Sequence, residues 1–334
     1  MLTDSFGRKL DYLRISVTDR CNLRCCYCMP PEGVKWKPHK EIFTYEEIIR
    51  TVKILADLGV RKVRITGGEP LSRKGLPAFI MTLKKIRNIE SVALTTNGIL
   101  LDKYLDESET LGPNSMPNGI NISIDALDIN KYKQITRSEN VNPKNIISLI
   151  DRLLDKNITV KINCVPIRSL NEKEIIPLAE LAKDKKISVR FIELMAFGSA
   201  AKYDCIPGNE VASIIQEKFG TLMPCNESGI TGSGPAIYYG IHGFAGKIGF
   251  INAVTHGFCE TCNRLRLTSE GFLKLCLSGD IGLDLKTPIR CGTEDNGIMR
   301  MITEAVLKKP GFHTLSAVYG AVEEHASGMS DIGG

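Results

Sequence analysis

The sequence predicts an α/β fold, an open partial (β/α)6 barrel of the TIM type with a C-terminal extension. Short β-branched runs alternate with longer amphipathic stretches about six times through residue 195, the pattern of strands joined by crossover helices. Six such units fall short of the eight that close a full barrel. Beyond residue 196 the alternation fades, and the glycines between 229 and 234 read as a join. The expected division is therefore a barrel over 5–228 and a smaller, glycine-rich portion over 229–334.

The strands fall at 13–17, 62–66, 91–95, 120–124, 159–165 and 188–194. The helix between the first two is fixed at both ends. Thr44 and Glu47 have capping-box spacing, Ile48, Val52 and Leu55 recur on one face, and Gly59 sits where a C-terminal glycine belongs. Asn142 before Pro143 starts another helix in the same manner. Crossovers of this kind are right-handed and leave the strands parallel. In a parallel barrel the loops after the strands converge on one rim. Onto that rim the sequence places the first cysteines, Gly67-Gly68-Glu69-Pro70, Thr96-Asn97-Gly98, Asp125 and Met195.

Composition narrows the class. With 334 residues, 43% hydrophobic and 24% charged, the chain is an ordinary soluble one and no small disulfide scaffold. No apolar leader follows the polar residues 1–11, so reduced thiols and a cytoplasmic location are expected. The longest uncharged stretch, 228–245, carries five glycines and a proline, which makes it a loop or hairpin rather than a membrane span. A net charge of +5, from 43 basic and 38 acidic residues, is too small to argue for a nucleic-acid partner but does not oppose a small polyanion. No phosphate loop or dinucleotide fingerprint is present, since Gly246-Lys247 lacks the flanking glycine and hydroxyl and Gly232-x-Gly234 lacks the third glycine.

Eleven cysteines are unevenly spread. Cys21, Cys25 and Cys28 follow the first strand with C-x3-C-x2-C spacing. Three thiolates on one tight loop bind three irons of a cubane cluster and leave the fourth iron open. A structural zinc site would want a fourth ligand, and Cys26 is the candidate on paper, although adjacent cysteines point in different directions.

Cys21-Asn22-Leu23-Arg24-Cys25-Cys26-Tyr27-Cys28, with Gly67-Gly68-Glu69-Pro70 after the second strand, resembles the radical S-adenosylmethionine superfamily. The resemblance implies a first 4Fe-4S cluster whose open iron chelates S-adenosylmethionine. One electron then cleaves a carbon–sulfur bond to give a 5'-deoxyadenosyl radical. Gly67 and Gly68 carry no side chains to obstruct backbone approach to the methionine moiety. Tyr27 would lie beside the adenine or simply pack the loop.

Cys259-x2-Cys262, then Cys276 after thirteen residues, forms a second triad with no obvious fourth ligand, Cys291 lying in a polar loop. Arg264 and Arg266 stand at i and i+2 on an extended segment, so both guanidiniums share a face, while Leu265 and Leu267 share the opposite, buried one. Such a fork suits phosphate or a planar base; solvated surface arginines are the alternative.

Asp11 to Arg20, Arg190-Phe191-Ile192-Glu193-Leu194-Met195, the segment Cys259 to Thr268, and the terminal Gly333-Gly334 are together similar to the molybdenum cofactor biosynthesis enzymes that cyclise GTP. The similarity runs from about residue 5 to the end. It implies conversion of GTP to (8S)-3',8-cyclo-7,8-dihydroguanosine 5'-triphosphate, with S-adenosylmethionine cleaved to 5'-deoxyadenosine and methionine, the first step of molybdopterin synthesis. The radical removes hydrogen from C3', and C3' then joins C8 of the guanine. It further implies a second 4Fe-4S cluster on Cys259, Cys262 and Cys276, whose open iron holds the guanine. Arg14, Arg64, Thr95, Lys161, Arg264 and Arg266 would contact GTP, and Tyr27, Gly68, Ser123 and Met195 would contact S-adenosylmethionine. Arg14, Arg264, Arg266, Gly333 and Gly334 would support the chemistry, with the glycine tail threading into the site. An electron donor and a downstream cyclic pyranopterin monophosphate synthase are the implied partners, and a homodimer is left open.

Physics supports part of this assignment independently. Arg14, Arg64 and Lys161 sit inside predicted strands, where a charge on the helix-covered wall would be costly, so they face the lumen. Thr95 and Ser123 could equally bond locally, and a glycine tail ordinarily frays. Residues 111–118 lengthen the connection before the fourth strand and read as a surface loop. The rival readings are a twin-cluster radical enzyme that modifies a peptide, which would carry more auxiliary cysteines, and a zinc module that binds nucleic acid.

Overall fold

Successive residues of the first strand, β1 (Tyr12–Ser16), part to opposite sides: Leu13 and Ile15 are fully buried under the helices, while Tyr12 and Arg14 line an internal cavity. The computed structural model describes residues 1–196, 198–225 and 234–312. The expected join over 229–233, the division between 228 and 229, and the terminal Gly333 and Gly334 lie outside the described residues.

β2 (Lys62–Thr66), β3 (Ser91–Thr96), β4 (Gly119–Ser123), β5 (Thr159–Cys164) and β6 (Ser188–Ile192) follow β1 in order, each parallel to the last. All six strands fall within two residues of their predicted positions. β5 stops at Cys164 because the next amide, Val165 N–H, donates to the Asp125 carboxylate at 2.8 Å instead of to a ladder partner.

Later segments extend both edges of the sheet. β9 (Lys247–Ile251) pairs parallel with β6, and β10 (Arg264–Leu267) pairs parallel with β1. Four more strands continue outward: β7 (Met223–Pro224), β8 (Ile237–Gly240), β11 (Phe272–Lys274) and β12 (Gly282–Asp284). The order is β12-β11-β10-β1-β2-β3-β4-β5-β6-β9-β8-β7, so eight contiguous strands are parallel where the sequence indicated six. Neither end strand pairs with the other among the described residues, and the barrel stays open.

Helices cover the outer face: α1 (Tyr45–Leu58), α2 (Leu76–Lys84), α3 (Leu101–Leu111), α4 (Ile129–Thr136), α5 (Pro143–Ile147), α6 (Leu149–Asp155), α7 (Ile175–Asp184), α8 (Gly208–Phe219), α9 (Lys286–Arg290) and α10 (Asp295–Val306). The expected capping box of α1 is formed, with Thr44 N–H donating to Glu47 Oε2 at 2.7 Å and Glu47 N–H to Thr44 Oγ1 at 3.2 Å. Gly59 closes that helix at φ 118°, a left-handed backbone that favours glycine. Asn142 caps α5 by accepting from Lys144 N–H.

The connection over 111–118 is more than a surface loop. Ser115 is fully buried and donates to the Ser108 carbonyl at 2.8 Å, and Asn118 exchanges two hydrogen bonds with Val92 of β3. The described part of the uncharged stretch contains the hairpin strand β8 and the turn residues around it, and no helix among the described residues is long and apolar enough to cross a membrane.

Candidate active site

The loop after β1 is fastened to two neighbours through its backbone. Gly68 N–H donates to the Thr18 carbonyl and Glu69 N–H to the Arg20 carbonyl, both at 2.7 Å. On the other side Arg24 N–H and Cys26 N–H donate to the carbonyls of Thr136 and Ile135 at the end of α4. Cys21, Cys25 and Cys28 border the internal cavity, whereas Cys26 turns into the hydrophobic core. Cys26 is thus set apart from the other three, as the spacing indicated.

The glycines of Gly67-Gly68-Glu69-Pro70 border the cavity and also answer a packing need. A Cβ on Gly68 would lie 2.3 Å from the Arg20 carbonyl oxygen, and one on Gly67 would lie 2.8 Å from that of Thr18. Their absent side chains let this loop press against the cysteine loop. Glu69, fully enclosed, accepts from Thr96 Oγ1, Asn97 N–H and Leu71 N–H, and burial raises its pKa to about 7 despite those bonds.

Tyr27 donates its hydroxyl to Asp125 Oδ2 at 2.6 Å, tying the cysteine loop to the end of β4. Burial lifts Asp125 to about 6. Ser123 and Met195 border the same cavity, so the four residues assigned to S-adenosylmethionine are brought together. Burial, the Asp125 carboxylate and the neighbouring thiols push Cys25 well above the usual thiol range, and burial likewise raises Cys21. Two crowded thiols that resist ionisation fit a polymetallic cation, whose positive charge removes that resistance. Among the described residues no three His, Cys, Asp or Glu side chains stand close enough to hold a single metal ion.

Deeper in the lumen the strands set cations side by side. Arg64, Arg14 and Arg266 are register partners across β2, β1 and β10. Burial, and then repulsion from Arg266, Arg64 and Arg264, holds Arg14 well below the ordinary guanidinium range. Burial and Arg264 bring Arg266 to about 10, and its Nη1 is buried with no hydrogen-bond partner among the described residues. Leu265 and Leu267 occupy the opposite, buried face of β10, as predicted from the alternation. Thr95 accepts from Arg64 Nη1 at 3.5 Å and from Asn121 Nδ2 at 3.3 Å, forming a polar layer with Lys161, the register partner of Asn121. Lys161 differs from the other predicted residues, because its ammonium lies over the Tyr238 ring at 5.6 Å and it does not border the cavity. Burial, Arg190 and Arg64 pull its pKa down to about 7.

The second triad stands at the opposite end of the barrel from the first. Cys259 and Cys262 precede Arg264, whose register partner is Tyr12 at the start of β1, while Cys21 follows the end of that strand. Cys276 reaches the same end because β11 runs antiparallel to β10. All three border the cavity that the first triad borders, and five residues of β1 at about 3.3 Å each separate the two ends by roughly 16 Å. Cys291 is exposed at the end of α9 and does not border the cavity. The lumen also includes Tyr12, Asn163, Arg190 and Lys309, none of them anticipated as site residues. Arg190 carried the signal that marked Arg14 and Lys161, a charge inside a strand, and donates to Asn163 Oδ1 at 2.9 Å through Nε. Lys309 had no local signal.

Residues 15–182 match the radical SAM superfamily, and residues 187–315 match the family described as Molybdenum Cofactor Synthesis C. The GTP 3',8-cyclase of Clostridium perfringens is 40% identical over 333 residues, with 100% of each chain covered. That of Pelotomaculum thermopropionicum is 43% identical over 317 residues, covering 93% of this chain and 95% of its own. Among solved structures, Streptococcus suis SuiB bound to S-adenosylmethionine superimposes with a TM-score of 0.57 at 16% identity, over 95% of this chain and 73% of its own, a likeness of fold. A radical SAM domain followed by a cofactor-synthesis domain, with full-length identity to several cyclases, places the chain in the GTP 3',8-cyclase family of the radical SAM superfamily.

Proposed function

We propose that this chain converts GTP to (8S)-3',8-cyclo-7,8-dihydroguanosine 5'-triphosphate, the entry reaction of molybdopterin synthesis. The observation that carries this reading is a buried cationic lumen with a thiol triad at each end. A polyanionic nucleotide fits such a lumen, with its phosphates on the arginines and its two reacting carbons between the ends.

Cys21, Cys25 and Cys28 would hold the first 4Fe-4S cluster, and Cys259, Cys262 and Cys276 a second. When bound, the first cluster and S-adenosylmethionine supply the 5'-deoxyadenosyl radical that removes the C3' hydrogen of GTP. Tyr27, Gly68, Ser123 and Met195 would line the S-adenosylmethionine side of the lumen, with Tyr27 oriented by its bond to Asp125. Arg14, Arg64, Arg264 and Arg266 would neutralise the triphosphate, and Thr95 would face the nucleotide from the layer beside Arg64, with Lys161 contributing its charge from behind that layer, over Tyr238. Arg190 joins this set from its register position next to Asn163. The terminal Gly333 and Gly334 would support the cyclisation. A one-electron donor, a cyclic pyranopterin monophosphate synthase consuming the product, a cytoplasmic location and a homodimer complete the proposal.

The test is an anaerobic incubation with GTP, S-adenosylmethionine and a strong reductant. GTP-dependent 5'-deoxyadenosine and a cyclised guanine product are expected. Cys21→Ala, Cys25→Ala or Cys28→Ala should abolish S-adenosylmethionine cleavage, whereas Cys259→Ala, Cys262→Ala or Cys276→Ala should chiefly remove product. Full turnover after either set would refute the division of labour between the triads.

A further inference from the structure

Both ends of the described chain meet at the second triad. Residues 2–10 fold back on themselves, with Leu10 N–H donating to the Leu2 carbonyl at 2.9 Å and Gly7 turning the chain at φ 77°. The hairpin directs Arg8 inward beside Asp4, and their side chains are 6% and 0% exposed. Asp4 holds Arg8 twice, Oδ1 accepting its backbone N–H at 3.0 Å and Oδ2 its Nε at 2.6 Å. The remaining guanidinium donors go to main-chain carbonyls of two remote segments. Nη1 donates to Cys259 at 2.8 Å and to Gly311 at 3.0 Å, and Nη2 donates to Pro310 at 2.7 Å.

A second buried cation completes the arrangement. Lys309, next to that anchored segment, donates to the Arg264 carbonyl at 3.1 Å and to the carbonyl of Leu275. Arg264 is two residues beyond Cys262, and Leu275 adjoins Cys276. Cys259 and Cys262 share one short turn, and Cys276 lies beyond the end of β11.

We infer that Arg8 and Lys309, locked together through Asp4 and residues 310–311, form a two-cation bracket that fixes the spacing of Cys259, Cys262 and Cys276. Arg8 and Lys309 are thus positioning residues for the second thiol site, an inference that rests on reading that triad as ligands. The chemistry suits the task. Cations that donate to carbonyls bring positive charge to three thiolates without competing for their sulfurs, and a buried guanidinium satisfied on several sides holds its fork in one geometry.

The test compares anaerobically purified wild type with Arg8→Ala, Arg8→Lys and Asp4→Asn by two readouts: iron per chain, and hydrogen exchange of backbone amides. Wild type with two clusters holds about eight irons. Arg8→Ala should fall to about half of that, keeping the iron of the first triad, and its amides around 259–262 and 309–312 should exchange about tenfold faster or more, with those of β2 to β5 unchanged. Arg8→Lys, which keeps the charge but loses the fork, should fall between, and Asp4→Asn should resemble it. Unchanged iron with unchanged exchange at 259–262 would overturn the bracket. Faster exchange throughout the barrel would also overturn it, making Arg8 a residue of general stability. If wild type itself holds only about four irons, the second-cluster reading fails instead, and the local exchange alone decides the bracket.

Discussion

Arg14 and Arg266 are register partners in the parallel β1–β10 pair, a half-buried and a buried arginine set side by side by the backbone. Folding gains nothing from that juxtaposition, since Arg266 lowers Arg14's affinity for its proton while burial and Arg264 lower that of Arg266. A bound nucleotide would supply an anion that offsets it. Arg266→Met should therefore leave the ligand-free protein at least as stable as wild type. The same change should weaken GTP binding by about 1.5–3 kcal/mol, roughly ten- to a hundredfold, the range of a hydrogen bond to a charged group. Thermal unfolding and a GTP titration on one preparation check both signs.

Lys161 gives a pH signature. Its folded pKa of about 7 lies below the ordinary 10.5, chiefly because it is buried and then because Arg190 and Arg64 repel its charge. Between those values the unfolded chain binds the proton and the folded chain does not, so this group's contribution to stability rises with pH through that window. A bound polyanion reverses the preference. GTP binding at about pH 8.5, above the phosphate's own titration near pH 6, should take up as much as one proton per nucleotide. Calorimetry in two buffers of different ionisation enthalpy measures the uptake, which Lys161→Met should abolish.

Gly68→Ala tests the packing of the two loops. The added Cβ meets backbone, 2.3 Å from the Arg20 carbonyl oxygen and 2.9 Å from Cys21 N, so the cysteine loop itself must move. Overpacking of this kind costs about 1–3 kcal/mol. The expected outcome is a barrel that folds with normal circular dichroism but loses the iron of the first triad and cleaves no S-adenosylmethionine.

Much of this architecture is legible in the order of the residues. The strands show as β-branched runs, α1 through Thr44 and Glu47, and the lumen through charges at Arg14, Arg64 and Lys161 that no helix-covered wall would accept. What stays hidden depends on distant pairing. No local pattern says that 247–251 will join β6 or 264–267 join β1, and without that second pairing Cys259 and Cys276 have no position in the barrel. Arg190 is legible by the rule that marks Arg14, a charge between Val189 and Phe191 inside a strand. The cradle of Arg8 and Lys309 joins residues some 300 positions apart.

Removing Gly333 and Gly334 separates radical generation from its use. Both clusters and S-adenosylmethionine cleavage should persist in the truncated chain while cyclised product falls at least tenfold, about 1.4 kcal/mol of transition-state stabilisation. Product yield at the wild-type level would return the tail to an ordinary chain end.

The central claim is that the lumen between the triads delivers the C3' hydrogen of GTP to the radical made at the first one. GTP carrying deuterium at C3' tests it directly, by mass spectrometry of the 5'-deoxyadenosine formed in an anaerobic turnover. One deuterium per 5'-deoxyadenosine, together with a deuterium-free cyclised product, is the expected result. Unlabelled 5'-deoxyadenosine at full GTP-dependent turnover would contradict the account.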